Sequence, residues 1–300
     1  MNITELGIAT GRVKIEKETL HSIADSIRNK AEITNTMSIQ EMMDVLSNAI
    51  NTRDFIEEMC NGVLTEYSNP IVTSVSPYAL NHYTPLTKLN LAACTSIGSN
   101  AFNNCVSLND VSFPSCKTIG SYAFESCSSL TEASFPECTY IYSGAFKNCN
   151  ALTIADFPKC SFIDDSAFTS CTELANISFP ECYQILYSAF YGCNLTEAIL
   201  PNCLNVGQYC FAENKSLSYV SLPVCTHIWN NAFAGCVSLS AITLGHSSVC
   251  NLESINAFSS TPFENGTGYI YVPLSLVDAY KTNANWSYFS TQISAIEDMA

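Results

Sequence analysis

The sequence predicts a strand-rich solenoid with a short helical cap at each end, and three observations predict it. The dipeptide Ala-Phe recurs with its aromatic at Phe102, Phe124, Phe146, Phe168 and Phe190, each step being 22 residues. Phe211 follows after 21, Phe233 after 22 and Phe258 after 25. A leucine column (Leu64, Leu86, Leu108, Leu130, Leu152, Leu174, Leu195, Leu217, Leu239) and a proline column (Pro70, Pro114, Pro136, Pro158, Pro180, Pro201, Pro223) keep the same phase. The single 21-residue step has a local cause: only Asn194 stands between Cys193 and Leu195, where the other units have two residues. A fixed period of this size marks a stacked-repeat architecture, because one unit cannot bury its own apolar face and neighbours must cover it.

Taken in order, residues 1–62 precede the repeats. Leu20, Ile23, Ala24 and Ile27 follow helical spacing, and Ser38-Ile-Gln-Glu41 is a capping box that opens a second helical run of Ile39, Met42, Met43, Leu46 and Ile50. This predicts a helical hairpin over 18–62, docked on the first coil. Each unit from 63 to 268 then opens with a strand. In the unit at Leu108, Val111 and Phe113 share one strand face, while Asp110 and Ser112 point the other way. Pro114 ends the strand because it has no N–H to donate. Ile119 begins a second short extended segment, and Ala123-Phe124 turns the chain inward. From 269 to 300, Tyr269-Ile-Tyr-Val-Pro273 repeats the strand-Pro half of the unit, and 274–280, Trp286 and Ile293–Ile296 read as a helical cap.

The pattern Leu108…Val111…Phe113-Pro114…Ile119…Ala123-Phe124…Cys127 recurs in the units beginning at Leu130, Leu152, Leu174 and Leu217. It resembles the BspA-type leucine-rich repeat family over about residues 64–263. The resemblance implies an α/β leucine-rich-repeat-like, right-handed solenoid with one parallel strand per coil on one face. The unit at Leu239 departs from the pattern, with Gly245 in the proline place and an insertion before Phe258. The segment Leu20-His-Ser-Ile-Ala-Asp-Ser-Ile-Arg28 resembles short helical segments of phage structural and tail-associated proteins.

Charged residues make up 13% of the 300 and apolar ones 47%, which supplies a core and excludes general disorder. Twelve Lys+Arg against 27 Asp+Glu give a net charge of −15, which argues against nucleic-acid binding and against docking on anionic lipid. No apolar run reaches the about 18 residues that a membrane helix needs. The first residues carry neither a basic n-region nor an apolar h-region. They fit cytoplasmic synthesis with virion assembly, or the cell surface if an export signal has been removed.

Thirteen of the 16 cysteines form two columns. Ten of them, from Cys94 to Cys193, are spaced by 11, half the repeat. No C-x-x-C occurs, so zinc-ribbon chemistry has no support. Parallel Cβ vectors in stacked coils favour reduced, packed thiols over disulfides. Cys60, Cys210 and Cys250 lie off the columns. Cys225 and His227 are a poor nucleophile pair, because one is a repeat position and the other faces outward. No phosphate loop, G-x-S-x-G or H-E-x-x-H is present, so the sequence predicts no catalytic residue, no metal and no cofactor.

What remains is surface. On the strand face the outward positions include Asp110, Glu132, Asp156, Glu197 and Tyr219, neutral-polar to acidic. On the second face, between the Cys and Ala-Phe columns, they include Tyr140, Tyr142, Phe162, Leu186, His227 and Trp229. Exposed aromatics at positions that vary between coils are binding candidates for a protein or a surface glycan. The bland alternative is packing under a loop or the cap. The expectation is a non-enzymatic recognition scaffold, as a phage or prophage virion component or as a bacterial cell-surface adhesin of the BspA type. A carbohydrate-active enzyme is the disfavoured third reading.

Overall fold

The computed structural model describes residues 64–299, together with the antiparallel strand pair Ile8–Ala9 and Arg12–Val13. The expected helical hairpin over 18–62 and its phage resemblance lie outside the described residues. From Leu64 onward the chain is a strand-rich parallel β-solenoid of about ten turns. Each of the nine turns up to Leu252 contributes a three-residue strand to one face and a two-residue strand to another.

The two-residue strands, from Ser74–Val75 to Asn251–Leu252, form one continuous nine-stranded parallel sheet. The three-residue strands divide into three parallel sheets, ending at Asp110–Ser112, at Asn176–Ser178 and at Ile293–Ala295. Both divisions follow a half-buried β-branched residue, Val111 or Ile177, that is succeeded one coil later by Ala133 or Ala198. The second division also coincides with the shortened unit at Asn194. Register is in phase throughout, for example Ile154↔Asn176 and Tyr140↔Phe162, so like positions stack on like.

The interior follows the predicted columns. Phe124, Phe146, Phe168 and Phe190 stack nearly parallel at 5.1–5.2 Å between centroids, and Phe135, Phe157 and Phe179 form a second stack at 5.3–5.4 Å. The two stacks meet edge to face, as at Phe146–Phe157 (5.8 Å), the offset that aromatic quadrupoles prefer. The inward turn at Ala-Phe is made by left-handed residues on both sides of it: Tyr122 and Ser126 flank Ala123-Phe124, each with φ near +60°. The corner also bonds between coils, Phe124 N–H to Ala145 C=O at 2.7 Å.

Both cysteine columns are buried and reduced among the described residues. One donates within its own turn, as Cys138 Sγ to Tyr140 C=O (3.4 Å). The other donates to the preceding coil, as Cys149 Sγ to Phe124 C=O (3.1 Å). The thiols thus satisfy buried carbonyls while packing as small apolar groups. Cys250, off-column in sequence, sits with its Sγ 3.9 Å from that of Cys225 and extends the first column.

The C-terminal end corrects one expectation. Leu274–Leu276 is a 3-10 turn, Val277–Thr282 an α-helix and Trp286–Gln292 a kinked 3-10 segment. Ile293–Ala295, read from sequence as helical, is instead a strand parallel to Tyr269–Val272. That strand would otherwise leave an open edge, and Ile293 and Ala295 alternate inward at strand period. The cap also closes the other column. Trp286 Nε1–H donates to Cys250 C=O (2.7 Å), Tyr280 Oη accepts from Cys250 N–H (2.8 Å), and Asn285 Nδ2 donates to Leu252 C=O (2.7 Å).

Candidate functional site

The first residue of each two-residue strand points away from the core. Down the sheet these residues run Ser74, Ser96, Thr118, Tyr140, Phe162, Gln184, Asn205, His227 and Asn251. Small polar side chains are the rule, and the aromatics in mid-array are departures from it. In-register parallel pairing places Tyr140 directly against Phe162, and their rings stack at 4.7 Å. Tyr142, one residue past the strand, lies 4.3 Å from Tyr140, and Tyr183 meets Phe162 edge on at 6.4 Å.

Exposure decides between binding and internal packing for these rings. Tyr142 is 41% exposed, Tyr183 44% and Trp229 42%, so no described loop or cap covers them. Tyr140, Phe162, Leu186 and His227 are half-buried, as members of a stack are. Five of the six predicted residues of this face divide into two places. Tyr140, Tyr142 and Phe162 form one cluster. His227 and Trp229 form a second pair, at 4.3 Å, with Asn251 Nδ2 3.0 Å from His227 Nδ1. Leu186 belongs to neither, on the coil after Phe162 and two coils before His227.

Sequence reasoning missed Tyr183, Asp164 and Asp165, which complete the first cluster. Asp165 Oδ1 accepts from Tyr187 N–H (3.1 Å) and Asp164 Oδ1 from Asp165 N–H (2.8 Å), fixing both carboxylates. Desolvation, and after it the negative charge of Asp164, raises the Tyr140 phenol above its ordinary range. The available signal was positional: both acids directly follow the Phe162–Ile163 strand in the unit with the stacked aromatic.

The strand-face residues do not converge. Asp110 pairs with Lys88 on the preceding coil. Glu132 and Glu197 are exposed and Asp156 half-buried, each on a different coil. Tyr219 Oη lies 3.1 Å from Thr243 Oγ1, a cross-coil contact. Among the described residues no three His, Cys, Asp or Glu side chains group as metal ligands. Burial pushes the thiols of Cys105, Cys138 and Cys182 up to about 12, so these side chains are protonated, and weak nucleophiles, at neutral pH.

With the parallel turns, the Ala-Phe corners and the cysteine columns in place, the family can be decided. The family model for BspA type leucine rich repeat regions matches residues 59–168 and 139–264, with six copies. The chain belongs to the BspA-type leucine-rich repeat family. Among solved structures, a leucine rich cell surface protein from Faecalibacterium prausnitzii is similar at 22% identity and TM-score 0.52, over 69% of each chain. The pneumococcal vaccine antigen PcpA is similar at 20% identity and TM-score 0.46, over 77% of this chain and 68% of that one. A leucine rich repeat protein of T. pallidum is similar at 21% and 0.42, over 59% and 80%. No curated protein matches the sequence. In this BspA-type array the repeat demands the buried columns, and the aromatic clusters are what the individual chain adds to them.

Proposed function

We propose that this protein is a non-enzymatic recognition scaffold that holds another macromolecule, a protein or a surface glycan, against the two-residue-strand face. The observation that carries this reading is the in-register Tyr140–Phe162 stack, in a column where the other coils carry serine, threonine, glutamine, asparagine or one histidine, flanked by the exposed Tyr142. Clustered large rings at a surface gain free energy when a partner covers them, and aromatic anchors dominate binding surfaces. The strand face is the lesser candidate, because its carboxylates are dispersed or already paired.

The setting that fits is an exposed bacterial surface, where the similar F. prausnitzii protein is placed by its description. A virion setting is the second reading, favoured by the phage resemblance of residues 20–28; in either, the repeats recognise and residues 1–62 attach the array or only cap its first coil. A screen of glycans and host-surface proteins against the native chain and a Tyr142→Ala/Trp229→Ala variant tests the recognition role. Loss of a bound partner with unchanged circular dichroism supports it, and identical profiles refute the assignment of this face. Mass spectrometry of washed envelopes against purified virions separates the two settings.

A further inference from the structure

We infer that the cluster on the two-residue-strand face takes a cationic protein segment, with an arginine side chain seated on the rings of Tyr140, Tyr142, Phe162 and Tyr183 beside the carboxylates of Asp164 and Asp165. The inference rests on the recognition role proposed above and names its partner. Three observations lead to it.

The first is charge. Residues 64–299 contain six lysines, no arginine and 17 carboxylates. Four of the lysines are engaged on this chain, Lys88 with Asp110, Lys147 with Glu125, Lys159 with Glu137 and Lys215 with Glu213. Among the described residues no lysine pairs with Asp164 or Asp165. The array therefore meets its surroundings as an anion whose own cations are mostly spent, and complementary charge is what speeds and selects association.

The second is geometry. Each aspartate uses Oδ1 to hold a backbone N–H, and no described hydrogen bond engages either Oδ2. The carboxylates are thus fixed in place with accepting capacity turned to solvent. Their charge reaches the ring cluster, since Asp164 and Asp165 both act on the Tyr140 phenol.

The third is the surface itself. Stacked rings with partly open faces attract a cation through the ring quadrupole, and a guanidinium, flat and weakly hydrated, stacks on them better than an ammonium. A neutral sugar would use the rings and leave the two carboxylates without a cation. A polyanion would be repelled by them.

The test titrates the full chain with a fluorescein-labelled oligo-arginine peptide, an oligo-lysine peptide and a neutral Gly-Ser peptide, read by anisotropy. The expected result is saturable binding in the order Arg, Lys, Gly-Ser. Tyr140→Ala/Tyr142→Ala should weaken the arginine peptide about tenfold, the scale of one desolvated cation–π contact. Asp164→Asn/Asp165→Asn, which keeps both Oδ1 acceptors, should weaken it similarly, and high ionic strength should lower affinity further. Glu132→Gln/Glu197→Gln on the strand face should change it less than about twofold, as a dispersed exposed charge does. Equal weakening by the strand-face variant means diffuse attraction and overturns the site. No binding of the arginine peptide overturns it as well. If a glycan array then finds a neutral sugar whose binding Tyr140→Ala/Tyr142→Ala abolishes, the recognition role of this face stands and only the cationic partner falls. If those tyrosines affect neither probe, both readings fall.

Discussion

Asn214 occupies a position where six other coils carry cysteine, yet replacing it with that repeat residue should destabilise the protein. In the coils of Cys127, Cys149, Cys171 and Cys193 the thiol donates to the phenylalanine carbonyl of the coil before, at 3.1 Å. Asn214 makes the same link, Nδ2 to Phe190 C=O at 2.7 Å, and also donates to Phe211 C=O at 2.9 Å. Its Oδ1 accepts from Leu195 N–H at 3.2 Å. That last bond answers the shortened unit. In full-length coils the leucine N–H bonds to the cysteine carbonyl three residues back, as Leu152 to Cys149 and Leu174 to Cys171, both at 3.0 Å. Leu195 stands only two residues after Cys193, so the turn cannot close and the side chain of Asn214 supplies the acceptor from the next coil. Asn214→Cys keeps a donor for Phe190 and orphans a buried N–H. The orphan costs about 1–3 kcal/mol and the lost Phe211 bond about 1 more, for a total near 3 kcal/mol. At about 2–4 °C per kcal/mol for an array of this size, the thermal midpoint should fall by about 6–12 °C. Circular dichroism melts of the native chain, Asn214→Cys, and Asn214→Cys with one serine inserted after Asn194 measure this. The insertion restores the 22-residue period and should recover at least half of the loss. An Asn214→Cys variant as stable as the native chain would refute the account.

Phe146→Ala should cost about 3–5 kcal/mol, because it opens a fully buried site between two parallel-stacked neighbours and two edge-on ones, whereas Ser134→Ala should stay within about 0.5 kcal/mol; equal shifts in urea midpoint would contradict the packing described. The 15 described cysteines should be unreactive to a thiol reagent in the native state and all titrate in denaturant without reductant; a count near half would mean disulfides. Stability should fall with rising alkalinity: thiols such as Cys105 and Cys138 ionise near 9.0 when unfolded and near about 12 when folded, so the native state holds more protons in between. Their contribution is full below pH 9.0 and lost as pH rises toward about 12, which melts across that window check; a flat midpoint would show that burial does not hold the protons. Tyr280→Phe should loosen the cap by removing the acceptor of Cys250 N–H, at a cost of about 1–3 kcal/mol, seen as faster hydrogen exchange at Cys250 and unchanged exchange near Phe124.

The 22-residue period determined the solenoid, the inward columns and the burial of the thiols by itself. Stacking identical units in register leaves one way to bury Leu, Phe and Cys at once, so phase alone locates Phe146 inside and Tyr142 outside. The outward aromatics were legible for the same reason, as departures from a small-polar column. Three features were decided only by the tertiary structure. Ile293–Ala295 became a strand because an unpaired edge at Tyr269–Val272 was in reach, which no short apolar run announces. Asn214 was revealed as the partner of the missing residue near Asn194 only when consecutive coils were laid against each other. Tyr183 met Phe162, and Asp164 and Asp165 came to Tyr140, because neighbours across coils sit about 4.8 Å apart in space but some 22 residues apart in sequence. A period states what every coil shares, and a binding surface is made of what neighbouring coils do not share.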